Sequence, residues 1–183
     1  MRNMIRLLSG IAMAACVSFA FAGNAMAKLP ANMDEFQAKY EAEAKTPEGA
    51  AKLWLEGAFL YSDASTRDLG RKVLIAVMKD LPNDFEKKST YATMINRMKE
   101  QPEIMRSYCA DSSPENGYKA DLDNCEITVV HSKQGYEETT WNLWLKSSGA
   151  DSERQITLNK VGEYWKVSSA PGLYMGIRPA VKK

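Results

Sequence analysis

An α+β fold, with N-terminal helices laid over one face of an antiparallel sheet, is what the sequence predicts. Three observations carry it. Residues 125–169 hold three segments with strand chemistry, CEITVVHS, ETTWNLWLKSS and RQITLNKVGEYWKVSS, separated by turns. In the second, Trp141, Leu143 and Leu145 fall on one side of a pleat and Asn142, Trp144 and Lys146 on the other, because strand side chains alternate with period two. The residues before this region keep helical spacing, and helices followed by a run of strands is the order of an α+β fold.

The chain has 183 residues, 45% hydrophobic and 26% charged, the balance of one ordinary globular domain. Its first 27 residues read as a signal peptide. Arg2 and Arg6 form a basic n-region, residues 7–22 are an apolar run, and Ala25-Met26-Ala27 puts small residues at −3 and −1 of a cleavage site, which predicts a mature protein starting at Lys28. Two other readings compete. Lipid attachment at Cys16 has Met13 at −3 and an apolar continuation against it. A retained membrane helix needs about 20 apolar residues, and the run is shorter. The expected location is the periplasm or the medium, with no transmembrane segment after signal removal.

Removing residues 1–27 takes away two basic and no acidic side chains, leaving 22 Lys and Arg against 23 Asp and Glu, a net charge of −1. That balance gives no electrostatic footprint for nucleic acid. Two cysteines remain, Cys109 and Cys125, and an even count in an oxidising compartment predicts that they are joined.

Along the mature chain, Met33, Phe36 and Tyr40 predict a short amphipathic helix within residues 28–45, read as a peripheral arm before a single domain over 46–183. Thr46-Pro47-Glu48 is a helix start: Thr caps, Pro needs no N–H at the first position, and Glu meets the positive end of the dipole. The helix it opens, to about Tyr61, has too many apolar residues for one stripe and is the expected central helix. Ser62-Asp63-Ala64-Ser65 breaks it. Leu69, Val73, Leu74, Val77 and Leu81 mark the next helix, ended by Pro82 and paired with the first as a hairpin. Tyr91, Met94, Ile95 and Met98 predict a short helix, with another after Gln101-Pro102. Residues 111–124 have loop composition, with a short edge strand expected over 118–122. Strand alternation resumes with Ile156 and Leu158, then Trp165 and Val167, around a hairpin at Lys160-Val161-Gly162-Glu163 whose Gly suits a positive φ. The tail after Ser169 is expected to be irregular.

The helix opening TPEGAAKLWLEGAFLYSD and the closing hairpin ITLNKVGEYWKVSS, with Pro47, Glu48, Ala50, Leu158, Gly162, Trp165, Lys166 and Val167 at the matching positions, resemble the NTF2-like (cystatin-like) superfamily. The resemblance implies a curved sheet wrapped around the helices as a cone. Some members use the cone for isomerase or dehydratase reactions, and many use it only for binding or dimerisation. No catalytic motif of those enzymes matches here, so no catalytic residue is carried over.

His131, the single histidine, suits a general base or metal ligand, but it is expected at a strand end before a turn, where a rim side chain is ordinary. A zinc site needs more His and Cys than the chain offers once its cysteines pair. The acidic residues Asp111, Glu115, Asp121, Asp123 and Glu126 miss the calcium-loop spacing and read as a solvated loop. Hydrolase, P-loop and dinucleotide fingerprints are absent from the sequence, and no cofactor is expected.

The aromatic residues Trp54, Tyr61, Trp144, Trp165 and Tyr174 are the candidate binding residues, for a small apolar ligand or a protein partner, and core packing competes for each. Trp144 stands out. Parity sends it away from Trp141, Leu143 and Leu145, so it either meets a partner, such as a second copy across the sheet, or is covered by Leu173, Tyr174 and Met175 of the tail. The expected function is therefore an exported, non-catalytic binding or interaction domain, with a small pocket enzyme or a structural envelope protein as alternatives.

Overall fold

The structure, a computed structural model, describes residues 28–181; the expected signal peptide and its cleavage site lie outside them. Helices α1 (Met33–Glu43), α2 (Pro47–Ser62), α3 (Arg67–Val77) and α4 (Ala92–Glu100) precede four strands, β1 (Val129–Gln134), β2 (Thr140–Leu145), β3 (Arg154–Val161) and β4 (Tyr164–Ser169), and one further helical turn, α5 (Pro171–Tyr174), follows. The strands form a meander in the order β1-β2-β3-β4, every neighbouring pair antiparallel. Helices packed on a four-stranded antiparallel sheet make this an α+β fold, as the order of sequence patterns requires.

Helix α2 starts as its sequence dictates: Thr46 is extended and its hydroxyl accepts from the Gly49 N–H, with Pro47 at the first helical position. Twelve of its sixteen residues are buried, which is why it carries no narrow apolar stripe. At its C-terminus the orphan carbonyls of Leu60 and Tyr61 accept from the Thr66 hydroxyl and the Arg67 guanidinium, so the turn into α3 closes on side-chain donors. α3 then presses on α2 at Gly70, where an added Cβ would lie 2.1 Å from the Tyr61 nitrogen. Any side chain there would force the helices apart.

The arm expected at the periphery is part of the core. Phe36 of α1 is fully buried, Tyr40 packs on Tyr164 of β4 with ring centroids 5.1 Å apart, and the Ala44 carbonyl accepts from the Trp165 N–H. The face of α1 that buries Phe36 and Tyr40 also buries Lys39, which explains its attachment: Lys39 and Glu56 of α2, 3% and 4% exposed, form an ion pair at 2.7 Å. Lys39 also donates to the Lys28 carbonyl, and Lys52 flanks the pair at 3.8 Å from Glu56.

Leu143, Leu145, Ile156, Leu158 and Val167 cover the inner sheet face against these helices and are fully buried. The β3–β4 hairpin turns at Gly162, whose φ of +63° matches the glycine position of a tight hairpin turn. Cys109 and Cys125 are joined as a disulfide, fastening the end of the helical half to the approach of β1. Beside it, Ser147 donates to the Ser107 hydroxyl, and Ser148 and Ser112 hydroxyls lie 3.2 Å apart.

Two expected elements differ. Residues 118–122 form no strand: Tyr118 has a φ of +54° and is buried with its hydroxyl donating to the Arg178 carbonyl, so this stretch is a loop closed over the tail. The tail is not wholly irregular either. It makes the turn α5, and Leu173 enters the core while its carbonyl accepts from the Tyr108 hydroxyl.

Among the described residues no helix is long and apolar enough to cross a membrane.

Candidate binding face

Register decides which side chains share the outer face of the sheet. On β2, Leu143 pairs with Ile156 and Trp144 with Gln155, so the apolar set turns inward and Thr140, Asn142 and Trp144 turn outward. On β1 a bulge at Val130 shifts the register: Val129 pairs with Leu145 of the inner face, but His131 pairs with Trp144. An extra residue in one strand reverses the parity of everything beyond it. His131 and Lys133 therefore stand on the outer face beside Trp144 and Asn142, and His131 sits within β1 rather than at the strand end expected from the sequence.

Trp144 is half-buried, and its ring meets the His131 ring edge to face with centroids 6.4 Å apart. His131, Ser132, Lys133 and Trp144 line a shallow, open depression of about 300 Å³. Next to it Asn142 Oδ1 accepts from both Gln155 Nε2 and Thr157 Oγ1 at 2.9 Å, and Asn159 Nδ2 donates to Thr140 Oγ1 at 2.8 Å. Cross-strand polar pairs of this kind hold a solvated face in register. Lys146 continues the outward alternation just past β2, and Lys166, paired with Asn159, brings a further ammonium group from β4. None of the four strands contains Asp or Glu.

The two edges of the sheet are unlike. β4 is covered, since its Trp165 N–H donates to Ala44 and its Val167 carbonyl accepts from the Lys79 N–H at 2.7 Å. β1 has β2 as its strand neighbour on one side, and five of its six residues are exposed. A bulge and a lysine are what natural sheets use to guard an open edge.

The tail does not cover Trp144. Arg154, on the inner side of β3 with Ile156 and Leu158, donates to the Gly176 carbonyl, and Leu173 and Tyr108 meet under the same face. The tail thus closes the helical side, opposite Trp144.

The remaining candidate aromatics do not assemble into one site. Trp54 is fully buried on α2 with its indole N–H unpaired, and Trp165 is buried on the inner face against Trp141, ring centroids 6.2 Å apart. Tyr174 is half-buried in α5. Tyr61 is buried and donates to Glu86 Oε1 at 2.5 Å, with Arg71 and Lys99 within 3.5 Å of that carboxylate and Lys99 over the Tyr61 ring. Burial first, then the Glu86 carboxylate, pushes the Tyr61 hydroxyl far above its ordinary range, so it stays a neutral donor. The Tyr61 hydrogen bond holds Glu86 below the usual carboxylate range, and the group as a whole ties α2, α3, α4 and the turn at Phe85–Lys87 together.

A catalytic cone would show a carboxylate of raised pKa facing a cavity. Burial does raise Glu56, but its oxygens are closed against Lys39 at 2.7 and 2.8 Å. In the acidic loop, Asp123 accepts from the Leu29 N–H, 94 residues away in the chain, and Asp121 from the Asp123 N–H, so these carboxylates are engaged with backbone donors. Among the described residues no three His, Cys, Asp or Glu side chains are grouped as a metal site.

The fold defines a class: an α+β domain with a filled helical side and an open sheet face whose strands contain no Asp or Glu. The chain belongs to the family described as a domain of unknown function (DUF6935), matched over residues 28–181. No curated protein and no solved structure matches it.

Proposed function

We propose that this protein is an exported, non-catalytic binding domain whose working surface is the outer sheet face around Trp144. The observation that carries the reading is the placement of a half-buried Trp beside His131, Lys133 and Asn142 on a face that no other part of the described chain covers. Trp among polar neighbours is the composition of an interface anchor. The interior offers no rival, because inner-face residues from Leu143 to Val167 are packed out against α2. Export is supported by the Cys109–Cys125 disulfide and by the signal-like residues 1–27. A relationship to the NTF2-like superfamily agrees with helices first and an antiparallel meander after.

Photocross-linking in the source cells tests the binding reading without knowledge of the partner. A benzoylphenylalanine replaces Lys133 or Gln155 on the outer face, or, as controls, Lys87 or Lys72 on the helical side. Adducts at the two outer positions and none at the controls are expected. Adducts at the controls alone, or at none of the four, overturn the reading.

A further inference from the structure

Resting on that reading, we propose that the outer sheet face binds an acidic polysaccharide. The argument begins with sign. Lys133, Lys146 and Lys166 point to this face, His131 stands with them, and the strands contribute no carboxylate. Among the described residues none of the three lysines lies within 4.0 Å of an acidic group. By the same alternation Glu153, one residue before β3, stands across from Lys146, so the face carries three lysines against one carboxylate in a chain that is close to neutral as a whole. Their complement is an anion.

Spacing describes its size. With strands about 4.8 Å apart and about 6.7 Å for every two residues along a strand, Lys133 lies roughly 14 Å from Lys146 and roughly 16 Å from Lys166, backbone to backbone. Trp144 sits inside that triangle. A single small anion cannot touch all three, and an oligomer with repeated charges can.

Chemistry between the lysines narrows the polymer. Asn142, Gln155, Thr157 and Asn159 form a row of neutral amides and hydroxyls, and Asn142 Nδ2 has no partner among the described residues because its hydrogen bonds are made through Oδ1. Such a row donates and accepts at once, which suits the hydroxyls of sugar units. Trp144 supplies an aromatic surface for the apolar face of a sugar ring. An acidic protein partner would be expected to insert apolar anchors into a desolvated pocket, and the depression at Trp144 is shallow and open. A nucleic acid shares the charge, but its footprint is a strongly basic domain, and residues 28–183 carry a net charge of −1.

The test is affinity electrophoresis and calorimetry of the purified protein with polygalacturonate, dextran sulfate, neutral dextran, poly-glutamate and single-stranded DNA. Binding to polygalacturonate or dextran sulfate that weakens with salt is expected, with none to neutral dextran and weaker binding to poly-glutamate and DNA. The Lys133→Glu/Lys146→Glu/Lys166→Glu variant, whose changes are at the surface, should lose about tenfold or more in affinity at an unchanged melting temperature; Trp144→Ala should lose a comparable factor, because it removes the aromatic surface under the sugar ring. No polysaccharide binding, tighter binding to poly-glutamate or DNA, or affinity indifferent to the triple reversal overturns the proposal. If outer-face cross-links form and polysaccharides fail to bind, the binding-face reading stands and this inference alone falls.

Discussion

Replacing Lys39 by Met removes the partner of a carboxylate that is 4% exposed, and the size of the effect follows from what Glu56 can do next. A buried carboxylate without its cation escapes by taking a proton. At pH 7 that protonation from an ordinary value of 4.5 costs at most about 3.4 kcal/mol, at 1.36 kcal/mol per pH unit. Lys52, 3.8 Å away and 26% exposed, keeps part of the compensation, so a loss of about 2–3 kcal/mol is expected, within the range for broken buried pairs. For a domain of this size that is about 4–12 °C in melting temperature. The pH dependence is the sharper prediction. Glu56 of the variant has a folded pKa above its unfolded value, so the folded state binds the extra proton and stability falls as pH rises from 4.5 to the folded pKa. Losing Lys39 raises the Glu56 carboxyl further than burial already does in the wild type, so the variant's deficit should be smaller at pH 5 than at pH 7. Urea titrations of wild type and variant at three pH values measure it. A deficit that is the same at pH 5 and pH 7 would refute the buried pair.

Three further outcomes follow from the fold. Gly70→Ala should destabilise by about 3 kcal/mol or more, because its Cβ meets backbone 2.1 Å away that no rotamer can relieve; a melting temperature within about 2 °C of wild type would contradict the α2–α3 contact. Replacing both cysteines by Ala opens a 16-residue separation, for which the chain-entropy estimate is about 3 kcal/mol, and calorimetry should find the melting temperature lower by about 6–12 °C. Glu86, held below its ordinary 4.5 first by the Tyr61 hydrogen bond, contributes stability present above that value and lost as pH falls through its folded pKa; Glu86→Gln should flatten that acid limb, seen as a smaller decline between pH 5 and 3.

Much of this arrangement was legible because it is local. The cap at Thr46 and Pro47 and the period-two alternation of Trp141 to Lys146 each need only a few neighbouring residues, and they locate α2 and separate Trp141 from Trp144. Features set by distant partners were not. Parity counted from Val129 would turn His131 inward, and only the bulge at Val130 puts it beside Trp144. Phe36 and Tyr40 showed one face of α1, yet nothing near Lys39 announces Glu56 seventeen residues on. A usable signal did exist: Glu56 stands in a helix apolar on nearly every side, where a charge must be paired. Tyr118 and Leu173 were misplaced because a left-handed loop residue and a tail that re-enters the core are tertiary choices, without a periodic signature. The outer face was half visible. Trp144, Asn142 and Lys146 follow from alternation on β2, but Lys133 and Lys166 join them only through register.

The measurement that bears most directly on the open sheet face is hydroxyl-radical footprinting with mass spectrometry, run on the purified protein and on the protein in its source cells. In the purified protein Trp144 and His131 should oxidise readily while Trp54 does not. In cells both should be protected, with Tyr136, exposed at the tip of the β1–β2 hairpin, as reactive as before. Trp144 already protected in the purified protein, or equally reactive in both settings, would contradict a working surface at this face.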